Sequence, residues 1–160
     1  MDMKRIILFI VLLLSTGLQA SIKVDEINYQ AVYDEILENQ IVYPDIAFAQ
    51  SVLESGHYTS KVFTLNNNLF GMRLPRVRET VAIGSKMGYA VYDNWTQSIK
   101  DYSLYQQYIF RKDTMSKTQY FKFLDKKYAG TKNYSKKLKD IIKKFQGVLS
   151  DEKSEEQFDL

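Results

Sequence analysis

The sequence predicts an α+β domain, mainly helical with one small β-hairpin lobe. Apolar residues recur at helical spacing through most of residues 27–149. One stretch, Arg76 to Tyr92, changes to alternation around a glycine-bounded turn. There is no cysteine, so the fold depends on the packing of a core rather than on disulfides. With 160 residues the chain has room for one domain.

The elements follow in order. Lys4 and Arg5 precede an unbroken apolar run from Ile6 to Leu14, then Ser15-Thr16-Gly17 and Leu18-Gln19-Ala20. This is the layout of a secretory signal peptide over residues 1–20, with a run too short to hold a bilayer. An uncleaved N-terminal anchor is the alternative reading. No cysteine follows for lipid attachment. The mature chain is then expected to be exported, without an integral membrane anchor, with one domain over residues 21–149.

Ile27, Val32, Ile36 and Leu37 predict a helix between Ile27 and Ile41. Tyr43-Pro44-Asp45 interrupts it and opens another, because proline suits a first turn and breaks an interior. From Ile46 to Leu53 that second helix is apolar nearly all round, as a central buried helix should be. It ends on Glu54, and Gly56 lets the backbone turn into a hydroxyl-rich loop and the Asn-rich segment closed by Leu69-Phe70-Gly71. Val77, Glu79, Val81 and Ile83 alternate with Arg78, Thr80 and Ala82, which predicts a first strand. Gly84 to Gly88 then reads as the turn and Tyr89 to Tyr92 as the returning strand. Asp93-Asn94 offers a cap for a helix from Trp95 to Tyr108. Two more helices are expected over Lys117–Lys127 and Tyr134–Leu149, and residues 150–160 form an acid-rich tail expected to be disordered.

Charge and composition exclude several chemistries. Without cysteine there is no thiol catalysis and no thiolate metal site, and one histidine, His57, excludes a multi-histidine zinc site. No cofactor or metal is expected. The region around Asp25, Glu26, Asp34, Glu35 and Glu38 is acidic, whereas lysines dominate from Arg111 to Lys144. A basic face of this kind is either a solvated helix surface or a docking site for a polyanion. Export argues against nucleic acid and favours the anionic bacterial wall. The chain is expected to act as a monomer.

Glu54 is the residue best placed for chemistry. The negative end of a helix disfavours a second negative charge and holds a carboxyl proton to higher pH. An acid that keeps its proton near neutrality is what cleavage of a glycosidic bond requires. A surface glutamate that merely ends a core helix is the plainer alternative.

Four ordered blocks decide between them. Leu53-Glu54-Ser55-Gly56 is followed by Ser60 and Asn68-Leu69-Phe70-Gly71, then by Tyr92-Asp93-Asn94-Trp95 with Ser98-Ile99-Lys100-Asp101-Tyr102, and finally by Tyr128-Ala129-Gly130-Thr131-Lys132-Asn133-Tyr134. Together, from Pro44 to Ile142, the chain resembles the glucosaminidase family of bacterial peptidoglycan hydrolases, which includes autolysins and flagellar wall-clearing enzymes. Many members carry Trp-Gly after Glu-Ser-Gly, where this chain has His57-Tyr58. The resemblance implies a lysozyme-like fold with a helical lobe, a hairpin lobe and a groove between them. It also implies an endo-β-N-acetylglucosaminidase that cuts peptidoglycan glycan strands in the periplasm or cell envelope, with Glu54 as general acid and Tyr134 as a phenol beside it. The family's second carboxylate has no unambiguous counterpart. Glu79, on the expected hairpin, is the best candidate, with an exposed strand residue as its alternative. Asp93 and Asp101 read more simply as helix-start residues. A one-carboxylate mechanism, using the sugar's acetamido group or a tyrosine-held water, stays open. Phe70 and Tyr92 would offer ring faces to sugars or serve as core. Asn68 would present its amide to an acetamido group or hold a turn, and Gly71 meets a backbone need. Muramidase, lytic transglycosylase and a non-catalytic wall-binding protein are the competing functions.

Overall fold

Residues 39–43 separate the first two helices, and Tyr43, the last of them, adopts a left-handed conformation (φ 58°). The computed structural model describes residues 27–128 and 130–150. Residues 1–20 (expected to be a signal peptide), Asp25, Glu26 and the expected tail from residue 151 lie outside the described residues. Helix α1 spans Tyr29–Glu38, capped by the side chain of Asn28 on the amide of Ala31. Helix α2 spans Pro44–Glu54, with Pro44 in its first turn where its missing amide proton costs nothing. Every α2 residue from Ile46 to Val52 is buried, as expected for the central helix.

Two apolar clusters meet on α2. Phe48 and Val52 pack with Val32 and Ile36 of α1 and with Leu69, Phe70, Ile99 and Tyr102. Ile46 and Ala49, turned to the other side, pack with Tyr120, Leu124, Tyr134 and Leu138. Tyr120 and Leu124 come from helix α5 (Lys117–Lys127) and Tyr134 and Leu138 from α6 (Tyr134–Lys144), the main neighbour of α2, while Ile109 and Phe110 of α4 (Trp95–Phe110) pack against this cluster. Asn94, the second residue of the predicted Asp93-Asn94 cap, accepts from the amide of Gln97 to begin α4. Ser116 and Gln119 form a reciprocal capping box at the start of α5. The predicted helix over residues 134–149 breaks at Phe145, leaving a short α7 at Gln146–Leu149.

Three expectations are corrected. The segment after Ser60 is a helix, α3 (Lys61–Asn66), rather than a loop. Ser60 caps it through the Phe63 amide, and six residues with only Phe63 and Asn66 buried are too few to show a period. The hairpin is smaller and lies further along than predicted. Its strands are β1 (Gly84–Lys86) and β2 (Tyr89–Val91), paired antiparallel with Ser85 opposite Ala90. Met87 and Gly88 form its two-residue turn, both with positive φ (56° and 80°), as tight hairpins require. Residues 77–82 are irregular. Their alternation misled because Val77 is exposed while Arg78 turns inward, the reverse of a strand with an apolar buried face.

The partner of Arg78 is the third correction. Asp101 does not start a helix but sits mid-way along α4, fully buried. Its carboxylate takes a two-pronged bond from Arg78 (2.9 and 2.8 Å) and another from the Tyr92 hydroxyl (2.8 Å). Burial alone would raise the pKa of Asp101, but the bonds from Arg78, Thr80 and Tyr92 outweigh it and hold the carboxyl below its ordinary range. This pair staples the irregular segment to the helical lobe.

Asp101→Ala should therefore destabilise the protein by about 3–5 kcal/mol, because it leaves the Arg78 guanidinium buried and uncompensated. The folded pKa is depressed, so the stabilisation is present above the unfolded carboxylate pKa of about 4 and lost as pH falls through the folded value. Denaturant unfolding should show a large gap between wild type and variant at pH 7 that narrows in acid. An equal gap at all pH values would contradict this account.

Candidate active site

Glu54 is the last residue of α2, and the chain leaves it abruptly. Gly56, His57 and Tyr58 are all left-handed (φ 58°, 57° and 65°). The reversal is held by bonds from the His57 amide to Val52 O (2.9 Å) and from the Tyr58 amide to Ser55 Oγ (2.9 Å). Gly56 adopts this conformation without a side-chain penalty; the two aromatic residues require those bonds. The helix thus stops at the carboxylate, which is half-buried and lines a cavity of about 510 Å³.

The two carboxyl oxygens have different surroundings. Oε1 accepts a 2.6 Å bond from the Tyr134 hydroxyl. Oε2 lies beside Gly71, where an added Cβ would come within 3.8 Å of it. Gly71 is left-handed (φ 61°), which meets the backbone need expected of it. Tyr134 is buried at the start of α6, and its ring stacks on Tyr128 with centroids 4.4 Å apart and planes 2° from parallel. Burial raises the pKa of Glu54 above the ordinary carboxylate value, and the bond from Tyr134 opposes part of that rise. Burial and the neighbouring carboxylate push the Tyr134 phenol far upward, so it stays a proton donor to Glu54 at any physiological pH.

The Glu54 cavity also has Phe70, Arg73, Tyr89, Lys127 and Tyr128 in its walls. A second cavity of about 310 Å³ adjoins it and shares Phe70, Gly71, Arg73, Lys127 and Tyr128. It continues past Pro75 and Tyr105. The result is a groove with an acid at one end, an aromatic wall and two cationic side chains where the cavities meet. Among the described residues no cluster of His, Asp or Glu could hold a metal ion.

The structure brings Glu54, Tyr134 and Phe70 together, and it removes the other predicted contacts. Phe70 stacks on Tyr102 (4.2 Å) and is buried, so it lines the groove with little ring surface left for a ligand. Tyr92 is core rather than a sugar platform, because its ring is buried and its hydroxyl is bound to Asp101. Asn68 cannot present its amide to a ligand. It is fully buried, donates to the carbonyls of Met72 and Ala90 (both 2.9 Å) and accepts from the Met72 amide (3.0 Å). Glu79 is exposed on the irregular segment, off the hairpin, and lines neither cavity. Tyr128, Tyr89, Arg73 and Lys127 were not singled out from sequence. Tyr128 alone carried a signal, as the first residue of the Tyr128–Tyr134 block.

Residues 30–147 match the Glucosaminidase family, described as mannosyl-glycoprotein endo-beta-N-acetylglucosaminidase. The chain is similar in fold to the catalytic domain of the autolysin Auto from Listeria monocytogenes, with a TM-score of 0.52 and 16% identity over 93% of this chain and 97% of that one. No curated protein sequence matches it. The mainly helical architecture with its small antiparallel hairpin is thus an autolysin-like fold.

Asn68→Ala separates scaffold from ligand contact. Removing three buried hydrogen bonds at about 1 kcal/mol each should destabilise the protein by roughly 3 kcal/mol, read as a lower melting temperature. A variant that keeps its melting temperature but binds substrate poorly would return Asn68 to the substrate.

Proposed function

Because the chain belongs to the glucosaminidase family, we propose that it is an endo-β-N-acetylglucosaminidase acting on peptidoglycan glycan strands in the cell envelope, with Glu54 as its general acid. The observation that carries this reading is the bond from Tyr134 to Glu54 Oε1 at the wall of an open groove, which leaves Oε2 for the proton to be given away. A glycan would lie along the groove with a sugar face against Tyr128 and beside Phe70, while Arg73 and Lys127 meet substrate carboxylates.

The chemistry follows from one carboxyl group. Protonated Glu54 gives its proton to the bridging oxygen as the bond from the anomeric carbon to that oxygen breaks. No second carboxylate lines either cavity, so the acetamido oxygen of the same sugar closes on the anomeric carbon. Water then opens that ring and gives its proton to the Glu54 carboxylate, which restores the acid. The raised pKa of Glu54 serves the first step, because the acid must enter it protonated.

Glu54→Gln should lower wall-cleaving activity by at least about a hundredfold. The folded pKa of Glu54 is raised, so its contribution to stability is lost as pH rises through that value. The variant should therefore melt at the same temperature as wild type or slightly above it at neutral pH. Mass spectrometry of digested wall should find new reducing N-acetylglucosamine ends from wild type and none from the variant. Reducing or anhydro N-acetylmuramic acid ends would identify a muramidase or transglycosylase, and the absence of products from wild type a binding protein. Glu79→Gln should leave activity within about threefold, as for a surface change that touches no substrate. A loss equal to that of Glu54→Gln would restore the two-carboxylate mechanism.

A further inference from the structure

Behind Tyr134, a line of buried polar groups runs away from the groove. The Tyr134 oxygen accepts from Gln50 Nε2 (3.0 Å). Gln50 Oε1 accepts from the Tyr102 hydroxyl (2.5 Å), and the Tyr102 and Tyr120 hydroxyls are 2.8 Å apart. Gln106 Nε2 donates to the Tyr120 oxygen (3.3 Å) and to the carbonyl of Val42 (2.8 Å), while Gln106 Oε1 accepts from the Val42 amide (2.8 Å). Gln50, Tyr102, Tyr120 and Gln106 are each at most 2% exposed.

The direction of this line is determined. A backbone amide can only donate and a backbone carbonyl can only accept, so the Val42 peptide fixes which end of the Gln106 amide is nitrogen. That nitrogen donates to Tyr120, and the one arrangement that leaves no buried hydroxyl proton without an acceptor sends the Tyr120 proton to Tyr102. The Tyr102 proton goes to Gln50 Oε1, which leaves Gln50 Nε2 facing Tyr134. The Tyr134 oxygen is thereby an acceptor, and its proton has one remaining destination, Glu54 Oε1. A reversed Gln50 amide would instead present its oxygen to Tyr134 and draw that proton away from the acid.

We propose that Gln50 is a positioning residue for the acid. It aims the Tyr134 hydroxyl at Glu54 Oε1 and so confines the transferable proton to Oε2, with Tyr102, Tyr120 and Gln106 setting its orientation. The use of that proton rests on the glycosidase reading of Glu54; the hydrogen-bond direction does not.

The test follows the Glu54 carboxyl directly, by ¹³C NMR titration of the full chain labelled at its glutamate carboxyls, with Glu54→Gln identifying the resonance. Tyr134 donation favours the charged carboxylate, so losing it moves the Glu54 titration to higher pH. Gln50→Met, close in shape and unable to donate, should cause that upward movement, and Tyr134→Phe should cause it as well. The double variant should move no further than Tyr134→Phe alone, because Gln50 acts through the phenol. In cleavage assays Gln50→Met should lower kcat by about tenfold, the effect of weakening one hydrogen bond to a charged group, with KM nearly unchanged. If Gln50→Met does not fold, Tyr102→Phe removes the proton that orients Gln50 and should shift the titration in the same direction. A titration identical to wild type in the folded variant, or additive effects in the double variant, overturns the proposal. A wild type that cuts no glycan but shows the predicted titrations refutes the function and leaves the relay standing.

Discussion

The hydrogen bond from Tyr134 to Glu54 joins residues 80 positions apart, and it sets the geometry that the rest of the fold has to maintain. It needs the last turn of α2 beside the first turn of α6. That contact exists because Ile46 and Ala49 on α2 share an apolar cluster with Tyr134 and Leu138 on α6. Packing therefore delivers the two polar groups, and the polar groups give that packing one register. An apolar pair would tolerate a small slide of one helix along the other. A 2.6 Å bond to a half-buried carboxylate does not.

The hairpin lobe is held by another means. Three paired residues per strand are too few to be stable alone, so the hairpin depends on side chains. Three consecutive asparagines supply them. Asn66 donates to Lys86 O (2.9 Å), Asn67 to the carbonyls of Tyr92 and Asp93 (3.0 and 3.1 Å), and Asn68 to those of Met72 and Ala90. Each amide ties down a backbone carbonyl of the hairpin or of the chain flanking it. On the other side of the lobe, Arg78 and Asp101 bind the irregular chain to α4. Gly71 and Phe70 thereby reach the groove at a fixed distance from the acid.

What the sequence revealed follows from how each residue acts. The helices were legible because they bury apolar faces with a period, and the place of Glu54 at the end of one because that pattern stops there. Only the motif blocks around it set it apart from a plain helix-end glutamate. Tyr134 was legible only inside its motif. Asn68 and Tyr92 could not be assigned, because an amide or a phenol serves backbone, core and ligand equally well until its neighbours are known. Asp101 was misread for the same reason, since its partner Arg78 is 23 residues away in a segment that looks like a strand. Gln50 carried no visible signal. A glutamine in an apolar helix shows its purpose only through what it touches.

Part of the conformational cost of this arrangement falls on the helices that carry the chemistry. Of the seven left-handed non-glycine residues among the described residues, Tyr43, His57, Tyr58 and Asn133 stand at the two ends of α2 and the start of α6. Each such residue costs on the order of 1 kcal/mol, less for asparagine. The compensation is local in every aromatic case. The Tyr43 hydroxyl donates to Met115 O (2.6 Å) while its ring stacks on Tyr120. His57 Nδ1 is bonded to the Tyr29 hydroxyl (2.9 Å), and the Tyr58 amide to Ser55. Sharp turns on both sides of α2 prevent the helix from gaining or losing a turn, which would move Glu54 by several ångströms along its axis. Strain at the helix ends is thus the means by which a mostly apolar, slippery helix holds a single carboxyl group at one point in the groove.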